Sequence, residues 1–109
     1  MSRLTLEVDV PDDDCPLLVF FTSRRSGPAR RMESLLAHIA RKERGRLRVS
    51  KVDIDDHPEI AVRFKVEQVP TLVLVVGKRA VTRLPGRATA PRIATMLEPY
   101  LVAHEPLVA

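Results

Sequence analysis

The residues best placed to do chemistry lie in one short stretch, Ser23-Arg24-Arg25-Ser26-Gly27-Pro28-Ala29-Arg30-Arg31-Met32, directly after an apolar run, Leu17-Leu18-Val19-Phe20-Phe21. Four arginines flank a Gly-Pro pair. Guanidinium groups engage carboxylates and phosphates through paired, parallel N–H bonds, so the cluster suits anions. Ser26 places a hydroxyl in its middle. As a nucleophile that hydroxyl would need a base within hydrogen-bond reach. No His or Asp lies nearby in sequence, so Ser26 reads as a small residue filling a turn. The single cysteine, Cys15, stands at the far end of the apolar run. One thiol makes neither an intrachain disulfide nor a cysteine-based metal site. Cys15 reads as a small packing residue, with an intermolecular disulfide or peroxide sensing as the alternative. His38, His57 and His104 are scattered without ligand spacing. His57 beside Pro58 reads as part of a helix cap. No cofactor and no metal is expected.

Composition narrows the classes. A chain of 109 residues, 45% hydrophobic and 29% charged, is expected to form one globular domain over 1–109, with its core at about 3–102 and a frayed tail. The net charge is +4, with Asp9, Asp12, Asp13 and Asp14 forming an acidic loop apart from the arginines. A basic patch attracts anions, acidic peptides or nucleic acid. Aromatics are 4% of the chain and none is interleaved with the arginines. The stacking platforms of single-strand binders are therefore missing, and nucleic acid is not the expected partner. The sequence contains no run of about 18 apolar residues, so a membrane span is not expected. The start of the chain lacks the apolar core of a secretory signal, so the cytoplasm is the expected compartment.

The elements that must position these groups follow from periodicity. Leu4, Leu6, Val8 and Val10 alternate with polar residues, predicting a half-buried strand near 3–9. Residues 17–22 suit a central strand buried on both faces. A helix is predicted from about Gly27 to Arg44, with Met32, Leu35, Leu36, Ile39 and Ala40 on one face and Gly45 closing it. A strand over Leu47 to Ile54 follows. Asp56-His57-Pro58-Glu59 then predicts a short helix capped by an aspartate and ending near Phe64. Leu72 to Val76 is a buried strand, paired through a Gly77-Lys78 turn with Arg79 to Leu84. Thr89 caps a last helix carrying Ile93, Met96, Leu97, Tyr100 and Leu101. The order β-β-α-β-α-β-β-α predicts an α/β sandwich around a mixed sheet.

That order, with its punctuation, resembles the thioredoxin family over about 3–102. Leu17 to Phe21 followed by Ser26-Gly27-Pro28-Ala29 is similar to the family's strand and active-site turn, with Ser26 and Ala29 where Cys-Gly-Pro-Cys carries its thiols. Lys51-Val52-Asp53-Ile54-Asp55 with His57-Pro58 resembles the third strand and its exit. Val69-Pro70-Thr71-Leu72 resembles the loop holding a cis proline, and Gly86 the glycine that admits a partner chain. The resemblance implies a three-layer sandwich with a mixed five-stranded sheet flanked by helices. Only Asp9 to Pro16 separates the first two strands, so the family's first helix is expected to be reduced to a loop and one sheet flank to be less covered.

The resemblance also implies what chemistry is missing. The family's attacking thiolate falls at Ser26 and its resolving cysteine at Ala29. Its buried proton-handling acid falls at Phe20, and the tryptophan before the first cysteine at Arg25. Lys51, the usual partner of that acid, is expected to pair with Asp53 on the same strand face or to reach water. An alcohol ionises far above a thiol and does not exchange disulfides. The expected function is a redox-inactive protein- or peptide-binding module, lined by Arg24, Arg25, Ser26, Gly27, Pro28, Val69 and Pro70 and favouring anionic segments. The alternative, implied by the family, is a thiol–disulfide oxidoreductase working through Cys15 or a partner thiol. Catalytic residues are not expected at Ser26, Ala29 or Phe20.

Overall fold

A computed structural model describes residues 15–103. The strand expected near 3–9, the acidic segment 9–14 and the tail beyond Ala103 lie outside the described residues. Within them the order is β1 (Leu17–Thr22), α1 (Gly27–Arg31), α2 (Glu33–Lys42), β2 (Arg48–Asp53), α3 (Pro58–Arg63), β3 (Thr71–Val76), β4 (Arg79–Pro85) and α4 (Ala90–Ala103). The four described strands form one mixed sheet in the order β2-β1-β3-β4. β1 runs parallel to β2 and antiparallel to β3, which is antiparallel to β4. No helix among the described residues is long and apolar enough to cross a membrane.

The central strands are apolar on both faces because both faces are covered. Successive side chains of a strand point to opposite faces. Leu18 and Phe20 therefore join Leu72 and Leu74 under Met32, Leu36 and Ile39 and under Ile93, Leu97 and Leu101 of α4. Val19 and Phe21 join Val52 and Val73 on the other face, where Ile60, Phe64, Val66 and Val69 pack. The Phe21 and Phe64 rings lie 5.6 Å apart at 56°, a favourable tilted geometry. Helices thus lie on both faces of the sheet, in three layers. Among the described residues, the six-residue α3 is the only helix contributing to the second face, and that face is the more lightly covered.

Two local expectations are corrected. The helix predicted as continuous over 27–44 divides at Met32. The Met32 N–H bonds to the Ala29 carbonyl three residues back, at 3.0 Å, and Met32 sits at φ −83°, ψ −9°. That is the tighter 3₁₀ pattern, after which regular bonding restarts from the Met32 carbonyl to Leu36 N–H. The short helix after β2 is not capped by an aspartate. Its cap position is His57, with no side-chain capping bond, and Pro58 opens the first turn. The Asp53 carboxylate instead accepts the Asp55 N–H at 2.8 Å, forming the turn that leads in. The β3–β4 hairpin turns through Gly77 and Lys78, both at positive φ, as a two-residue turn matching strand twist requires.

Candidate functional site

The strand register gathers the singled-out segments at one end of the sheet. Thr22 pairs with Asp53, Phe21 with Thr71, and Thr71 with Pro85. The segment Ser23–Pro28, the β2 exit at Asp53–Asp56, Val69-Pro70 and Gly86 therefore all leave from the carboxyl end of β1. In α/β sheets this is the side where binding crevices open.

The Ser26 hydroxyl is a helix cap. With extended φ −100° and ψ 109°, Ser26 accepts the Ala29 N–H on Oγ at 3.1 Å, while its carbonyl accepts the Arg30 N–H. Capping satisfies one of the donors that the first turn leaves open. No His, Asp or Glu hydrogen-bonds to this hydroxyl among the described residues, so nothing activates it as a nucleophile. Ala29 is fully buried, and Phe20, 1% exposed, is part of the apolar core. Cys15 lies beyond the opposite end of β1 from Ser26. The six-residue strand alone spans about 16 Å.

The segment before Ser26 is tied to the β2 exit. The Ser23 hydroxyl donates to Asp55 Oδ2 at 2.7 Å and accepts the Arg25 N–H at 3.1 Å. The Ser23 hydrogen bond, aided by the Arg25 and Arg24 charges, holds the Asp55 carboxyl below the usual carboxylate range. Arg24 is ion-paired with the β2 exit while its side chain stays 67% exposed. Its guanidinium donates to both Asp56 oxygens at 3.2 and 3.4 Å and lies 3.5 Å from Asp53 Oδ2. The Asp56 hydrogen bonds and charge hold its proton more tightly than usual. Arg25 is exposed and forms no ion pair among the described residues.

Lys51 does not pair with Asp53, which Arg24 occupies. Its ammonium lies 3.5 Å from Glu33 Oε2 at the start of α2. Thr22, Arg24, Arg30, Glu33, Lys51 and Asp53 line a charged cleft of about 500 Å³ beside this pair. Thr22 Oγ1 is buried there without a hydrogen-bond partner among the described residues. Sequence reasoning missed Ser23, Asp55, Asp56 and Glu33. The available signal was the pairing of β1 with β2, which places any acid at the β2 exit beside the arginines.

On the other side, the Val69–Pro70 peptide is cis. Pro70 is buried, its carbonyl accepts the Gly86 N–H at 2.7 Å, and Thr71 Oγ1 donates to the Gln68 carbonyl at 2.7 Å. Gly86 has φ +83°, and a Cβ added there would meet nothing closer than 3.9 Å. Backbone conformation, not crowding, favours glycine at this position.

The comparisons agree with this architecture. The family model described as Thioredoxin matches residues 2–99. Thioredoxin 1 of Nostoc sp. is 30% identical over 97 residues, covering 89% of this chain and 91% of its own length. The thioredoxin of Mycobacterium tuberculosis is 36% identical over 86 residues, covering 79% and 74%. The crystal structure of the germline-specific thioredoxin Deadhead from Drosophila melanogaster superposes with a TM-score of 0.74 at 30% identity, covering 80% of this chain and 82% of its own. Fold, register and relatives converge: the chain belongs to the thioredoxin family.

Proposed function

We propose that this chain is a thioredoxin-fold binding module that has left thiol–disulfide exchange and recognises an extended, anionic polypeptide segment. One observation carries the reading: the hydroxyl at the attacking position serves as the cap of α1, bonded to the amide of the residue at the resolving position. Three features support it. Neither position holds a thiol, the proton-handling position is a core phenylalanine, and Cys15 lies at the far end of β1. The binding half rests on the shared edge of the Ser26 turn and the Val69-Pro70 loop, where an extended chain can add by backbone pairing. Arg25 is the rim cation that forms no ion pair among the described residues.

Two measurements test it. Insulin-disulfide reduction with dithiothreitol as donor is expected to run no faster with the protein than without it. Turnover that disappears in Cys15→Ser overturns the redox half in favour of an oxidoreductase working through that thiol. Amide chemical-shift mapping with an extended acidic peptide is expected to move Ser26, Val69 and Gly86. Arg25→Ala should weaken binding about two- to fivefold, the value of an exposed charge contact, while Arg24→Ala does not. Peptide binding that leaves those three amides unmoved overturns the groove.

A further inference from the structure

The positive charge of this chain is concentrated in one sequence segment, which begins at the groove rim and runs on through α1, α2 and β2. Residues 24–51 contain ten Lys or Arg and two acids, a net of +8 in a chain whose total is +4. Both acids are already paired with cations of the same segment, Glu33 with Lys51 and Glu43 with Arg46. Arg24 is held by Asp53 and Asp56. Arg30, Arg31, Arg41, Lys42 and Arg44 are exposed and form no ion pair among the described residues.

Met32 keeps right-handed helical angles, so α1 continues into α2 without reversing direction. At roughly 100° per residue, His38, Arg41 and Lys42 lie on the outward side of α2, opposite buried Leu36 and Ile39, and exposed Arg30 and Arg31 precede them on α1. Arg30/Arg31 and Arg41/Lys42 are two cationic pairs about 16 Å apart along the axis. Between them the exposed residues are Ser34, Ala37 and His38.

We infer that this cationic surface of α1–α2 is a second docking surface, for an acidic segment of a partner polypeptide. The inference rests on the anionic preference proposed above but places it on a different surface. Charge complementarity selects an anion. The arrangement selects a polypeptide: two separated guanidinium-rich pairs match discrete carboxylate clusters. A nucleic-acid strand offers evenly spaced phosphates and would reward evenly spaced cations and exposed aromatics; this surface has neither.

The test is fluorescence anisotropy with a labelled glutamate-rich peptide and, separately, a DNA duplex of equal charge, each titrated with the full chain at two salt concentrations. The peptide is expected to bind more tightly than the duplex, and less tightly at the higher salt. R41E/K42E should lower peptide affinity about tenfold or more, since like charges then face each other. R41Q/K42Q should give a smaller loss, and it carries the test if charge reversal disturbs the helix. Unchanged affinity in the variant that remains folded, or tighter binding of the duplex, overturns the proposal. Loss of binding in Arg25→Ala with R41Q/K42Q unaffected also overturns it, while leaving the groove reading standing.

Discussion

Ser26 and Ala29 are joined by a 3.1 Å hydrogen bond from the Ala29 amide to the Ser26 hydroxyl. The bond makes the turn a structural element. Ser26→Ala should lose about 1 kcal/mol of stability, and Ser26→Gly only a few tenths, the usual ranking for a helix cap. Urea unfolding of the two variants gives the answer. Equal loss in both would mean that the hydroxyl contributes through something other than capping.

Ser23 and Asp55 supply a pH-dependent link between the turn and the β2 exit. Asp55 has a lowered carboxyl pKa in the folded chain, chiefly because the Ser23 hydroxyl bonds its ionised form. A depressed folded value stabilises the fold fully above the unfolded value, about 4, and this contribution fades as pH falls through the lower folded value. Ser23→Ala should therefore move the Asp55 titration upward toward the ordinary range and flatten that part of the acid-unfolding profile. Carboxyl titration by NMR reads the shift directly, and an unmoved Asp55 would remove Ser23 as its cause.

These two contacts mark how much of the molecule was legible in the sequence. Leu17 to Phe21, Leu72 to Val76 and the Ile93–Leu97–Leu101 stripe carry periodicities that burial enforces, and each lies where its pattern indicates. The Ser26-Gly27-Pro28-Ala29 turn was legible as a motif. What the sequence hid were choices among nearby partners. Lys51 had Asp53 on its own strand, yet Glu33 from another element takes it because Arg24 takes Asp53. Asp56 carried the capping pattern, yet its carboxylate pairs with Arg24 and His57 occupies the cap position. Such exchanges cost little energy in either direction and depend on where β2 sets the loop beside β1. The break at Met32 was hidden for the same reason, since one shifted backbone bond leaves the helical pattern intact.

Thr22 holds a buried hydroxyl with no partner among the described residues, next to the charged cleft. An unsatisfied buried polar group costs about 1–3 kcal/mol, whereas an apolar group of the same shape carries no such penalty. Valine is nearly isosteric and suits a central strand. Thr22→Val should leave stability unchanged or raise it by about 1 kcal/mol. A loss of similar size in thermal unfolding would show that the hydroxyl is bonded in solution.

Phe20 gives the proposed loss of redox chemistry a test in the core. It is 1% exposed and packs with Leu18, Leu72, Leu74 and Ile93 in the larger core cluster. Lys51, the cation that would face a carboxylate in the family pattern, pairs with Glu33. Returning the acid as Phe20→Asp removes a ring from a packed core and introduces a carboxyl without a partner. The expected loss is about 4 kcal/mol or more, against about 1 kcal/mol for the volume-conserving Phe20→Leu. Burial would raise the new carboxyl's folded pKa above its unfolded value of about 4, so Phe20→Asp should be least stable at neutral pH and recover as pH falls toward that value. Denaturant unfolding at neutral and acid pH measures both effects. If Phe20→Asp is as stable as Phe20→Leu, with no recovery in acid, a solvated niche for the acid persists and the core here was not rebuilt around its loss.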